Sequence, residues 1–183
     1  MPINNNIFQK NANTALVTEA IWLKGEVSRV DISRSLHLYR STVTNLISFL
    51  LESGVVLEGE TSKSPSQGGR KPILLSLNDS FGCVMGIDIQ PSHYRIAILS
   101  FSGKTLCEEK GSLGDISLED MIWNILDIAF AMHSERVKTP VLAICFSIPG
   151  VINNETGEII YSNPFKIEKF NLKNYVKSKY DYP

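Results

Sequence analysis

Residues 61–72, Thr-Ser-Lys-Ser-Pro-Ser-Gln-Gly-Gly-Arg-Lys-Pro, are the one sustained run of small, polar and structure-breaking residues in the chain. Proline removes an amide donor and glycine costs backbone entropy, so neither a helix nor a central strand passes through such a run. It separates two patterns: upstream the apolar residues recur at helical spacing, and downstream they come in short strand-like blocks. At 183 residues the chain has room for one domain or two small ones, which excludes a large multidomain enzyme. We therefore expect an α/β chain with one domain over 1–80 and a second over 81–183, and no internal repeat.

In the first half, Asn13 is placed to cap a helix over about 14–24 with an apolar stripe of Leu16, Val17, Ala20, Ile21 and Leu23, ended by Gly25. Ser28 caps a short second helix through Val30, Ile32 and Leu36, and Asp31 stands where an acid meets the helix dipole. A turn at 37–40 leads to a third helix from Ser41 to about Ser53, with Val43, Leu46, Ile47 and Leu50 inward and Gly54 as its stop. Residues 55–58 and 73–77 pair as strands across the polar run. Two short helices joined by a tight turn and followed by a β-hairpin make a winged helix-turn-helix.

On a helical wheel the third helix leaves Ser41, Asn45 and Ser48 outward, flanked by Thr44 and Thr42. Short polar side chains of this kind enter a major groove, where Asn pairs bidentately with adenine and Ser and Thr serve several bases. Over residues 1–80 eight basic residues meet seven acidic ones, a net of +1, so attraction to DNA has to come from placement. Arg29, Arg34 and Arg40 lie around the second helix and its turn, and Lys63, Arg70 and Lys71 lie in the wing. Both sets are expected to reach phosphates, with Arg70 and Lys71 extended by Pro72 toward a narrow minor groove. The competing reading is a solvated basic surface and a flexible linker.

A hydrophobic fraction of 43% and a charged fraction of 20% exclude wholesale disorder and fibrous polymers. Cys83, Cys107 and Cys145 are odd in number and widely spaced, which fits neither a disulfide framework nor a metal pair, so they read as reduced, buried thiols. The N-terminus lacks a signal-peptide pattern, and no run reaches the length of a membrane span. The expectation is a cytoplasmic protein with no membrane partner, no metal, no cofactor and no catalytic residue.

From residue 83 the order reads β-β-β-α-β: strands at 83–89, 94–101 and 104–109, a helix capped by Ser117, and a buried apolar strand at 141–148. Pro149-Gly150 turns out of that strand, residues 157–161 suggest another short strand, and 172–180 reads as helical. With no helix between the first three strands, this is the start of an actin-like ATPase lobe rather than a Rossmann unit. The three histidines, His37, His93 and His133, are scattered and read as structural or solvated.

In order and spacing, Ser28-Arg29-Val30-Asp31-Ile32-Ser33, Gly68-Gly69-Arg70-Lys71-Pro72 with Leu75-Ser76-Leu77-Asn78, Gly86-Ile87-Asp88-Ile89, and Ser147-Ile148-Pro149-Gly150-Val151 with Ser162-Asn163-Pro164 resemble the ROK family (repressors, open reading frames and sugar kinases). The resemblance covers nearly the whole chain from about residue 13. It implies a transcriptional repressor of carbohydrate-related genes that binds a double-stranded DNA operator. It further implies a sugar or sugar-phosphate effector, a homodimer in the full-length form, and allosteric control of operator affinity. Asp88 takes the place of a family metal or phosphate residue, beside the plain reading of a strand-end acid bonded to nearby backbone. Asn163 matches a sugar-side loop position and also fits ordinary turn chemistry.

Two departures bear on activity. Gln90-Pro91-Ser92-His93 replaces the glycine-rich phosphate turn of the family's kinases, and the segments carrying their catalytic base and zinc site lie past Pro183. The chain thus reads as a non-enzyme and as a fragment, since it stops where a further core strand is expected beside 141–148. A degenerate sugar kinase with an accessory winged-helix domain and a protein-interaction module are the rival readings.

Overall fold

The computed structural model describes residues 5–61, 71–112 and 114–182. The chain divides into two compact units, Met1–Phe81 and Gly82–Pro183.

The first unit contains α1 (Asn5–Lys24), β1 (Val27–Ser28), α2 (Arg29–Ser35), α3 (Arg40–Glu52), β2 (Val56–Thr61) and β3 (Ile73–Leu77). Its sheet has the order β1-β3-β2 and is antiparallel throughout. Val17, Ala20 and Ile21 of α1, Ile32 of α2 and Val43, Leu46, Ile47 and Leu50 of α3 are buried with Val56, Leu75 and Leu77 of the hairpin. Gly25 and Gly54 end α1 and α3 at φ +74° and +75°, the left-handed conformation that a residue with Cβ rarely adopts.

Two expectations need correction here, and one pairing is new. The first helix begins at Asn5, so Asn13 lies inside it and is no cap. No glycine or proline interrupts residues 5–13, and the Thr14 and Thr18 hydroxyls donate back to the carbonyls of Lys10 and Thr14 as helix-interior threonines do. Leu16 and Leu23 leave the expected buried stripe and stand exposed, because α1 turns only its Val17–Ala20–Ile21 side inward. Val27 and Ser28 form a short strand against Leu75 and Leu74, a pairing that a two-residue segment does not announce in sequence.

The second unit runs β4 (Cys83–Ile89), β5 (Tyr94–Ser100), β6 (Thr105–Gly111), α4 (Leu118–Arg136), β7 (Val141–Ser147), β8 (Val151–Asn153), β9 (Glu158–Ser162), β10 (Ile167–Asn171) and α5 (Leu172–Lys177). Its main sheet has the order β6-β5-β4-β7: an antiparallel meander joined by β7, which lies parallel to β4 after the α4 crossover. One face, from Met85, Ile87, Ile89, Ile96 and Ile98, packs on Ile122, Ile125, Leu126 and Ala129 of α4. Ser117 accepts from the Asp120 amide at 3.1 Å and caps α4, as its sequence predicts.

The strand at 141–147 departs from expectation in its burial: it is half-buried, with Cys145 and Ser147 exposed, and among the described residues it pairs with β4 alone, the edge expected where no further strand lies beside it. An apolar run is compatible with a two-sided interior, but only the sheet order decides whether a second neighbour is present. The thiols are unpaired but not uniformly buried: Cys83 is buried, Cys107 half-buried and Cys145 exposed. Burial pushes the Cys83 and Cys107 thiols above their ordinary range. A second sheet, order β10-β9-β8, contains two strands the sequence did not reveal, β8 and β10. No helix among the described residues is long and apolar enough to cross a membrane.

Candidate nucleic-acid interface

The segment from Ser28 to Glu52 is fixed by local bonds before any packing is considered. Ser28 accepts from the Asp31 amide at 3.2 Å and donates to the Asp31 carboxylate at 2.6 Å, a reciprocal cap that starts α2. The turn after α2 places His37 at φ +53° and is tied by Ser33: its hydroxyl donates to the Leu38 carbonyl at 2.7 Å, and its own carbonyl accepts from the Leu38 amide at 3.2 Å. The third helix then starts one residue earlier than expected, at Arg40, with extended Tyr39 at the N-cap position and no side-chain cap.

Burial of Val43, Leu46, Ile47 and Leu50 sets the rotation of α3. It leaves Ser41, Thr44, Asn45 and Ser48 exposed and Thr42 half-buried, so the outward polar face read from the sequence is present on the surface. Thr44 donates its hydroxyl to the Arg40 carbonyl at 2.8 Å, which leaves that oxygen available as an acceptor. Arg40 is exposed beside this face.

Arg29 does not stand free. Its guanidinium pairs with Glu58 of β2 at 2.7 Å, an ion pair at partly exposed positions that tethers α2 to the hairpin. Lys71, at the foot of the hairpin, is exposed and lines a shallow groove of about 270 Å³ with Arg29, Ser28, Val30, Pro72 and Ile73. The structure thus brings together one cation from α2 and one from the wing, although 42 residues separate them in sequence. Arg70, like Lys63, lies outside the described residues.

Sequence reasoning missed a second concavity. A groove of about 610 Å³ runs between α1 and the start of α3, with Gln9, Lys10 and Asn13 on one wall and His37, Tyr39, Thr42 and Asn45 on the other. The uninterrupted helical stretch at 5–13 was the available signal, but a cap placed at Asn13 leaves those residues off the helix.

In the second unit, half-buried Asp88 accepts from the Gln90 amide side chain at 3.2 Å, rather than from backbone. It lines a cavity of about 320 Å³ with Arg95, Cys145 and Ser147. Asn163 stands exposed in the β9–β10 turn, accepts from the Tyr161 hydroxyl at 3.2 Å, and does not line that cavity. Among the described residues no three of His, Cys, Asp and Glu gather as metal ligands.

No protein-family model matches the chain. It is similar to the xylose repressor of Caldicellulosiruptor bescii, 29% identical over an alignment of 185 residues that takes in 99% of this chain and 46% of that protein. It is also similar to the DNA-binding transcriptional repressor Mlc of Escherichia coli, 28% identical over 159 residues, which cover 85% of this chain and 38% of Mlc. The chain therefore spans about half the length of the curated relatives it matches. Its fold resembles the crystal structure of a ROK-family transcriptional regulator described as a homologue of E. coli Mlc, with a TM-score of 0.74 at 20% identity over 95% of this chain and 44% of the other. In its relatives' sequences and in its fold, the chain is similar to the transcriptional repressors of the ROK family.

Proposed function

We propose that the chain is a sequence-specific DNA-binding regulator, a repressor of carbohydrate-related genes. In this reading its first unit is a winged helix-turn-helix, and its second is the first part of an actin-like, sugar-kinase-like domain. The observation that carries the proposal is the exposed face of α3: Ser41, Thr44, Asn45 and Ser48 are presented by a helix whose opposite side is fully buried. Asn45 reads base edges, the neighbouring hydroxyls serve several bases, and Arg40, Arg29 and the wing cations Arg70 and Lys71 hold phosphates. Glu58 offsets Arg29 and fixes its direction, so Lys71 supplies the stronger field at the wing.

Phosphoryl transfer is the weaker alternative for the second unit. The Gln90 amide is consumed by the His93 carbonyl at 2.9 Å, and Pro91 has none, so the turn after Asp88 offers little to a nucleotide phosphate. Effector control fits a sugar that binds two conformations of a longer chain unequally and shifts operator affinity by that difference. Asn163 is the position we assign to sugar contact, and a homodimer presents two α3 helices to two half-sites. Selection from a random duplex library tests the reading. A recurrent motif should be enriched, and Asn45→Ala should relax one of its positions by about 1–3 kcal/mol while leaving stability unchanged. No enriched motif at moderate salt overturns the proposal.

A further inference from the structure

The groove between α1 and α3 has no role in the preceding scheme, yet it shares Thr42 and Asn45 with the face assigned to base reading. Its described lining includes Lys10, His37 and Tyr39 and no carboxylate. Lys10 is positioned rather than trailing in solvent: its ammonium sits 5.0 Å from the centroid of the Phe49 ring, which is itself 45% exposed. A cation held over an aromatic face keeps its full charge, and its flexible stem is already ordered. Tyr39 is 85% exposed at the N-terminus of α3, on the opposite wall.

The geometry of a duplex makes this placement meaningful. A helix lying in a major groove about 12 Å wide is flanked on both sides by sugar-phosphate strands. A neighbouring helix packs at about 8–10 Å, so α1 stands about where such a strand passes. We propose that the groove seats one phosphodiester strand of the bound duplex, with Lys10 as its charged contact. The inference rests on the DNA-binding reading and adds to it a phosphate site on a helix outside the helix-turn-helix pair and the wing. The occupant follows from charge complementarity and from continuity with the α3 face.

The test is anisotropy with a labelled mixed-sequence duplex of about 30 base pairs, titrated from roughly 50 to 200 mM salt. Removing one phosphate contact by Lys10→Gln should lower the slope of log K against log salt by about 0.9 and weaken binding about eightfold near 0.1 M salt. Lys10→Arg should restore both, and circular dichroism should show unchanged helix content in each variant. An unchanged slope for Lys10→Gln, in a chain that binds the duplex, overturns the phosphate site and leaves the DNA-binding reading standing. Failure of the unsubstituted chain to bind any duplex overturns both.

Discussion

The sheet of the first unit is small, and three helices accompany it; its outward features are side chains, a short polar face on α3 and Lys71 at the hairpin foot. The main sheet of the second unit is larger; α4 packs on one of its faces, and it ends on β7, whose residues Val141 to Ser147 carry no charge. Natural edges are commonly blunted by charges, prolines or bulges; β7 carries no charge or proline, and its one irregularity is a register shift at Leu142 against β4. The first unit resembles a finished recognition module, with polar groups displayed and apolar groups enclosed. The second leaves an apolar strand at the end of its main sheet. In the proposed reading, the residues assigned to DNA all come from the first unit.

The strongest way to break this contrast is to open each core in turn. Ile47 and Ile125 are both fully buried, one in each unit, and Ile47→Ala or Ile125→Ala should each cost about 2–5 kcal/mol. Hydrogen exchange should show protection falling within the unit that carries the substitution. Loss spread evenly through the chain would mean that the two cores do not act separately.

A sharper comparison uses two caps of the same design. Ser28 and Ser117 each accept from the amide three residues on and donate to an aspartate there, but Ser28 is 2% exposed while Ser117 is at the surface. Ser117→Ala should cost about 1 kcal/mol and Ser28→Ala about 2, since its loss also leaves the Asp31 amide without a partner in a part-buried setting. Urea midpoints measure both, and equal costs would remove the distinction.

The smallest expected effect lies on the meander. Arg95 donates to Glu108 at 2.7 Å and holds that carboxyl below the usual range, helped by the charge of Lys110. Because the folded value is depressed, the stabilisation is present above the unfolded value of about 4.3 and is lost as pH falls through the folded one. A carboxyl titration by NMR should find Glu108 low and Arg95→Gln should return it to the ordinary range.

Much of the molecule was legible in residues 25–60. Glycines at 25 and 54, the cap at Ser28 and the spacing of Val43, Leu46, Ile47 and Leu50 are local signals, and local signals act through backbone conformation and helix period alone. The same holds for the strands read at 83–89 and 94–101, whose apolar content lies within each segment and which form at Cys83–Ile89 and Tyr94–Ser100. What was misplaced depended on neighbours. Leu16 and Leu23 continue the apolar pattern of α1, and only the packing of that helix shows that they remain outside. β8 and β10 are short, of three and five residues, and hold together through β9 rather than through their own pattern.

By itself the amino-acid sequence determined the order of the helices and longer strands and the composition of the outward face of α3, because these follow from chain period and turn chemistry; the polar run joins the two hairpin strands of the first unit, and the units meet at Phe81 and Gly82. Tertiary structure alone decided that Arg29 is joined to Glu58, that Lys71 comes beside it, that Lys10 is held over Phe49 at the mouth of a groove, and that β7 lies at an edge. Each of these depends on two segments distant in sequence meeting in space, and such a meeting is set by how cores pack rather than by any residue's own preference.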